Sequence, residues 1–499
     1  MKLYNTLSRQ IEELQPLDPP TVKIYSCGPT VYNYLHIGNW AAYIYWDVLV
    51  RALILDGYKP ERVINLTDVG HLTSDADEGE DKLVKKAREQ GLTAWDIAEQ
   101  YSQAFLAGFD QLNLIRPLQF AKATDFINEQ LELVRRLKQA GLTYQINDGI
   151  YLDTSLVKDY GHLAQLNLNA LQAGARVELN LQKRQITDFA LWKFSPIGEA
   201  KRDMEWPTPV DLLDNPEAGE VMGFPGWHLE CSAIILNTLG EQIDIHTGGI
   251  DHIPVHHTNE IAQTESVTGK PMATFWIHNN HLKSDGTKIS KSLGNGYTLD
   301  DLKERGFTAM DLKMLILQGH YQKEGNFSFE ALESAKNRLA SWHEVASFRH
   351  QIYDDIAQDH DKTINFLAVK RHILELADDN LNTPQIMATI DEAWQILRSP
   401  TTDFRNIHRQ SLVDFIQQID DLLGFDLIAS TPDIDESLKR LIIERKFAKD
   451  NRDFERADAI RAELLEQGIE ILDTKNQPLW RRIKWFKLLL NRHFLQSES

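Results

Sequence analysis

Cysteine occurs only twice in 499 residues, at Cys27 and Cys231. Two such distant thiols exclude a disulfide framework, and each taken singly reads as a buried small hydrophobe. Long apolar runs are also missing. Nothing approaches the roughly 18 uninterrupted apolar residues of a membrane span, and the opening stretch MKLYNTLSRQIEELQ has no signal-like core. The expected compartment is the cytoplasm, with no membrane partner. Positive charge is short as well. Lys and Arg number 53 against 73 Asp and Glu, a net charge of −20, which argues against a protein that coats nucleic acid non-specifically. Phosphate contact would have to come from local basic patches. One such patch is the tail, where Lys475, Arg481, Arg482, Lys484, Lys487 and Arg492 alternate with Trp480, Trp485 and Phe486. It reads equally as a solvated amphipathic helix packed on the preceding domain. Repeats and low-complexity tracts are absent.

What is present reads as an α/β chain of two to four domains. VKIYS (22–26) is a short apolar strand followed by a CGPT turn, residues 38–55 are an apolar helix hydrophobic on nearly all sides, and ERVINLTDV (61–69) is a second strand. That order predicts a parallel βαβ unit. HLTSDADEGEDK (71–82) is an acidic surface loop, and Ile127, Leu131, Val134 and Leu137 share one face of a helix stopped by Gly141. The stretch WPTPVDLLDNPEAGEVMGFPG (206–226) reads as a loop or connector. The α/β pattern then returns with a helix (HLECSAIILNTLG), a strand (QIDIHTGG) and a helix (HHTNEIAQTESVTG). The sheet is thus interrupted by an insertion. Beyond about residue 305 the chain turns helical, with a small separate unit from about 432.

His36-Ile37-Gly38-Asn39 stands at the start of the buried helix. The free N–H groups and dipole of a helix N-terminus suit phosphate, and Gly38 permits close approach of the backbone. The plain alternative is a capping turn with a satisfied histidine. Lys288-Ile289-Ser290-Lys291-Ser292 lies in a Gly- and Ser-rich loop. Two lysines three apart can clamp a polyphosphate and offset charge on a leaving pyrophosphate. Alone, it reads as an exposed basic loop.

Both motifs in this order, in an α/β chain with an insertion between them, resemble the class I aminoacyl-tRNA synthetases, whose signatures are HIGH and KMSKS. The resemblance implies that His36, Asn39, Lys288 and Lys291 stabilise the transition state as the amino-acid carboxylate attacks the α-phosphate of ATP. The family's second histidine is here Asn39, which can donate a hydrogen bond but cannot become cationic.

Cys27 precedes HIGN, Cys231 lies in GWHLECSA, and His256 and Glu260 are four apart in HHTNE, on one helical face. Two sulfurs, an imidazole and a carboxylate make a sound zinc donor set. Spacing alone would not join residues so distant; a Rossmann-like sheet that brings its strand ends to one crevice would. At this point the chain resembles the cysteinyl-tRNA synthetase family over nearly its whole length, through NTLSRQ, YSCGPTVYNYLHIGN, NLTDV, LNLIRP, LQAGARVE, DFALWK, GFPGWHLECSA, DIHTGGID, PVHHTNEIAQ, KISKSLGN and LNTPQ.

The resemblance implies zinc on Cys27, Cys231, His256 and Glu260, one ion per chain. It implies ATP, with Mg2+, at His36, Gly38, Asn39, Gly248, Gly249, Asp251 and Lys291, and L-cysteine at Gly28, Thr67, Trp227 and Asp251. The partner is tRNA(Cys), and a monomer is the family expectation. Zinc prefers a thiolate to a serine hydroxyl, which supplies selectivity that an apolar pocket, worth about 1–3 kcal/mol per group, cannot. A metal closed by four protein ligands would instead be structural.

The implied layout is a Rossmann-like catalytic domain in two halves, 1–115 and 226–305, around a connective insertion at 116–225. A helical bundle at 306–431 and an anticodon-binding module with the basic tail at 432–499 follow. His257 reads as a packed core histidine; His246, His252, His278 and His281 read as structural or nucleotide-facing. Lys82-Leu83-Val84-Lys85-Lys86 resembles a lysine motif linked in this family to a pyridoxal-phosphate-dependent persulfide activity, and reads more simply as a charged helix face. Two rivals remain. One is a ligase that passes cysteine from the same adenylate to an amino sugar, relatives of which lack the long C-terminal region. The other is a non-catalytic binding protein on the same fold, for which Asn39 is the only mark.

Overall fold

The computed structural model describes residues 1–70, 81–166, 182–196, 202–215, 217, 219–289, 293–351, 363–473 and 478–483. Lys291 therefore lies outside the described residues, as do residues 71–80, nearly all of the acidic loop at 71–82. Also outside are the LQAGARVE block and the tail residues Lys475, Lys484, Trp485, Phe486, Lys487 and Arg492. Contacts divide the chain into two compact units. One comprises residues 1–46, 56–302 and 321–326; the other comprises 47–55, 303–320 and 327–499.

In the first unit a hairpin of β1 (Lys2–Asn5) and β2 (Gln10–Glu13) precedes a five-stranded sheet. That sheet contains β3 (Thr21–Ser26), β4 (Lys59–Leu66) and β5 (Gln119–Lys122), with β11 (Ile243–Gly249) and β12 (Ala273–Asn279). Its order is β12-β11-β3-β4-β5, and every pairing is parallel. Parallel strands are buried on both faces, as in β4, where the last five residues, RVINL, are all buried and Arg62 and Asn65 are the polar members. The chain moves to one side of β3 for β4 and to the other for β11. The strand order therefore reverses between β3 and β11, the position where open α/β sheets form a ligand crevice beyond their carboxyl ends. Cys27, Thr67 and Gly249 stand at or just past the ends of β3, β4 and β11.

The helix Ile37–Leu55 follows β3. It is apolar all round, and Ile37, Ile44, Val48, Leu49 and Leu53 are fully buried. The helix Trp227–Thr238 precedes β11, and a π-helical turn, Ile253–His257, leads into the helix Thr258–Thr268. The single helix expected over this segment is thus divided just before Glu260. Cys231, Ile234, Ile235, Ile261 and Trp276 join one core cluster with Tyr25 and Val63.

Between β5 and β11 the chain forms an antiparallel sheet in the order β6-β7-β8-β10-β9. Its strands are β6 (Thr143–Ile146), β7 (Gly149–Leu152), β8 (Phe189–Phe194), β9 (Trp206–Pro207) and β10 (Met222–Pro225). The last two correct the reading of 206–226 as a connector. Met222 pairs with Pro207, and Phe224 with Lys193. Pro and Gly gave that stretch a turn composition, but the edge of β8 recruits it into the sheet.

The second unit is helical. It contains Ala309–Leu317, Phe329–Ser347, Leu367–Asp378, Thr383–Arg398 and Arg409–Leu423. The helices Glu436–Asp450 and Phe454–Glu466 follow, with a hairpin of Ile469–Asp473 and Pro478–Arg482. Ile434, Leu438, Ile442, Ile460, Leu464, Ile471 and Trp480 form a separate core there. Gln351 clasps the hairpin, donating to the Trp480 carbonyl at 2.6 Å and accepting from its N–H at 2.9 Å. Among the described residues no helix is long and apolar enough to cross a membrane.

Candidate functional site

A cavity of about 410 Å³ opens at the carboxyl ends of the parallel strands. Its wall includes His36, Gly38 and Asn39 of the first motif, Lys288 of the second, and Gly28, Thr67, Trp227, Gly248, Gly249 and Asp251. Cys27, Cys231 and His256 form part of the same wall. The structure thus brings together every sequence-predicted residue it describes, with Glu260 buried behind the wall.

At the floor, donor atoms of Cys27, Cys231, His256 and Glu260 all lie within 4.8 Å of one another. His256 Nε2 stands 3.0 Å from Glu260 Oε1 and 3.4 Å from Cys231 Sγ, so the pair four residues apart does share a face. The set mixes soft sulfur with imidazole and carboxylate in a buried pocket, and it is compatible with a divalent metal. Neighbouring histidines orient these groups. His246 Nε2 is 2.9 Å from Glu260 Oε2, and His228 Nδ1 is 3.0 Å from His256 Nδ1, directing His256 Nε2 inward. His257 Nε2 lies 3.2 Å from Cys27 Sγ, with its Nδ1 on His278 Nε2 at 2.8 Å. Cys27, His246, His257 and Glu260 consequently form a second, overlapping cluster. The sequence suggested a packed core histidine at His257 and structural or nucleotide-facing roles for His246 and His278, and gave no role to His228. The signal available covered two of them: His228 lies three residues before Cys231 and His257 adjoins His256, whereas His246 and His278 are distant in sequence from every expected ligand.

Electrostatics follow from this crowding. Burial opposes charge on His256, but Glu260 and Cys231 override it and push the imidazole up to about 10. Glu260, despite burial, is held well below the usual carboxylate range by His246 and His256. Burial raises the Cys27 thiol, reinforced by Cys231 and Glu260. It also raises Cys231, yet contact with Cys27 and attraction to His256 bring that thiol below its ordinary value. His257 is driven far below the ordinary imidazole range by burial and by the surrounding histidines.

The first motif forms a reciprocal cap. His36 Nδ1 accepts from the Asn39 N–H at 3.3 Å, and Asn39 Oδ1 accepts from the His36 N–H at 3.1 Å, the pattern of a capping box. An accepting Nδ1 leaves the His36 proton on Nε2, so the imidazole offers a donor. Asn39, with its oxygen engaged, offers the Nδ2 amide. The two motifs meet through the backbone: Ile37 N–H donates to the Tyr297 carbonyl at 2.8 Å, and Asn295 Nδ2 donates to the Lys288 carbonyl at 3.2 Å.

Gly28 is sterically required, since a Cβ there would lie 1.5 Å from the Asn65 carbonyl oxygen. A Cβ at Gly248 would meet the His257 ring at 2.6 Å, whereas one at Gly249 would face open space. Asp251 is mostly exposed at the rim, 3.3 Å from His281 Nε2. Trp227 stacks on His256 with ring centroids 4.8 Å apart.

Comparison with known proteins gives a consistent set of relatives. The family described as the class I (C) tRNA synthetase catalytic domain matches residues 13–337. A cysteine–tRNA ligase of Treponema denticola is 38% identical, over 97% of this chain and 100% of its own length. Cysteine–tRNA ligase 1 of Burkholderia lata is 40% identical over 95% of each chain. Among solved structures, Mycobacterium tuberculosis methionyl-tRNA synthetase in complex with methionyl-adenylate superposes with a TM-score of 0.56, covering 82% of this chain and 92% of that one. Agrobacterium radiobacter K84 LeuRS, in a ternary complex with tRNA and LeuAMS, gives 0.58 over 85% and 88%. At 14% and 11% identity these two establish the shared fold.

Proposed function

The chain belongs to the class I cysteine–tRNA ligase family, and from that premise we propose that it activates L-cysteine with ATP, in the presence of Mg2+, and passes it to tRNA(Cys). The observation that carries this reading is a single cavity wall shared by the HIGN helix, Lys288 and a buried donor set of two sulfurs, an imidazole and a carboxylate.

Cys27, Cys231, His256 and Glu260 would hold one zinc ion. Bound there, zinc supplies a preference for a thiolate over a hydroxyl. The protein's own groups do the rest. Trp227, Gly28 and Thr67 enclose the amino acid beside the donor set. Gly249 leaves room on the cavity wall, and Gly248 lets the backbone pack on the histidines, with Asp251 at the nucleotide and amino-acid rim. His36 Nε2–H, Asn39 Nδ2–H and the helix N-terminus donate to phosphate oxygens, and Lys288 and Lys291 offset the charge that develops on pyrophosphate.

The relatives align from end to end with this chain, its helical half included, which favours tRNA over an amino sugar as acceptor. The deciding experiment is aminoacylation of total tRNA with labelled cysteine, with labelled serine as the control. Cysteine should be incorporated and serine should not. Equal incorporation of both, or cysteine transfer to glucosaminyl-inositol but not to tRNA, would overturn the reading.

A further inference from the structure

Behind the cavity wall a chain of buried hydrogen bonds runs in one direction. The Gly28 N–H donates to Asn65 Oδ1 at 2.7 Å. A backbone N–H can only donate, so the Asn65 amide must turn its oxygen to Gly28 and its nitrogen the other way. Asn65 Nδ2 accordingly donates to Thr67 Oγ1 at 3.0 Å, and Thr67 Oγ1 donates to Glu230 Oε2 at 2.9 Å. Asn65 and Thr67 are each 2% exposed and Glu230 is 0% exposed. Glu230 sits between Trp227 and Cys231 on the helix Trp227–Thr238. The nearby carboxylate of Asp68 is engaged elsewhere, accepting from Thr124 N and Oγ1 at 2.9 and 2.6 Å.

A hydroxyl has one proton and two lone pairs. Thr67 gives its proton to Glu230 and one lone pair to Asn65, so toward anything in the cavity its oxygen is an acceptor and nothing else. A buried carboxylate one hydrogen bond away adds negative potential, which counts for more in a low-dielectric wall than in water. Such an atom discriminates sharply. It welcomes an N–H cation and opposes a second acceptor. On L-cysteine the matching group is the α-ammonium.

We propose that Glu230 is a positioning residue which, through Thr67, makes this wall a receptor for the substrate's ammonium group, so that the site selects an α-amino thiol over a simple thiol acid. The inference rests on the reading of cysteine as substrate. It adds amine selection, from the sheet side of the cavity, to the thiol selection assigned to the metal. Neither Asn65 nor Glu230 touches the reacting atoms.

The test compares L-cysteine with 3-mercaptopropionate, which keeps thiol and carboxylate and lacks the amine. Cysteine affinity is read from pyrophosphate exchange, 3-mercaptopropionate affinity from competitive inhibition, and metal content is measured throughout. Glu230→Gln should weaken cysteine about tenfold or more, the scale of a charge-assisted hydrogen bond, and leave 3-mercaptopropionate within about twofold. Thr67→Ser keeps the hydroxyl and should retain the wild-type ratio; Thr67→Val should collapse it. Should Glu230→Gln fail to fold, the Thr67 pair decides alone. Equal weakening of both ligands in Glu230→Gln, or an unchanged ratio in Thr67→Val, would overturn the proposal. Wild-type protein without cysteine-dependent exchange would instead sink the assignment of the substrate, so the two failures are distinguishable.

Discussion

Asn39 shows how one residue can serve two ends of the same side chain. Its oxygen completes the cap on the helix Ile37–Leu55, which leaves its amide nitrogen as the donor that this residue of the cavity wall can offer. The motif alone favours a capping turn and the family resemblance a phosphate contact; the geometry makes the two compatible. Substitution can separate them. In Asn39→Asp the carboxylate still accepts the His36 N–H, and negative charge in a first helical turn is favourable. The variant should therefore fold with wild-type thermal stability. Its donor has become an acceptor facing phosphate, so cysteine-dependent pyrophosphate exchange should fall by about 10²-fold or more. Exchange near the wild-type level would reduce Asn39 to a cap. The same chemistry is proposed for Lys291 by motif, and Asn295 donates to the Lys288 carbonyl at the other lysine of that motif.

At the scale of elements, periodicity was a good guide to faces and a poor one to partners. The apolar helix Ile37–Leu55 was legible because almost every side chain is hydrophobic. What its two charged side chains in that run do was not. Asp47 and Arg51, 2.6 Å apart, belong to the second unit, where Lys313 of the helix Ala309–Leu317 joins Asp47 at 3.3 Å, fully buried. Arg51 also donates to the carbonyls of Asp420 and Asp421. A pattern of residues along one helix carries no information about a lysine 266 positions away.

Burial drags the Lys313 ammonium from 10.5 down to about 8, against the pull of Asp47. The sign of the linkage follows. Between pH about 8 and 10.5 the unfolded chain holds a proton that the folded chain has released, so this group's contribution to the unfolding free energy rises with pH there. Below about 8 it is flat. The check is urea unfolding of wild type and Lys313→Met from pH 7 to 10.5. The variant should be destabilised at pH 7, toward the low end of the about 3–5 kcal/mol typical of a broken buried pair because Arg51 still answers Asp47. The wild-type minus variant difference should then grow with pH above 8. A difference that stays level would refute the burial-driven shift.

Over the whole molecule, sequence distance is undone by topology. Cys27 follows β3 directly, Cys231 rides the helix before β11, and His256 and Glu260 follow β11, so a reversal of strand order delivers all four to one floor. The family resemblance, with the sheet it implies, made that convergence inferable; the contacts of His246 and His278 and the Asn65–Thr67–Glu230 chain were not inferable, because they depend on side-chain direction within an already folded core. An ion on those donors would join three chain segments of the first unit and touch none of the second. Metal binding to the folded state alone adds stability by mass action, about 2.7 kcal/mol at a hundredfold excess over Kd. For a unit of this size that corresponds to roughly 4 °C in Tm. Calorimetry of the intact chain should therefore show, on treatment with 1,10-phenanthroline, one transition moving down by that amount while a second stays in place, and zinc should restore it. Cys231→Ala, which lacks a ligand, should already melt at the lower temperature and ignore the chelator. If both transitions shifted together, or neither did, the ion would not be a cross-link confined to the first unit.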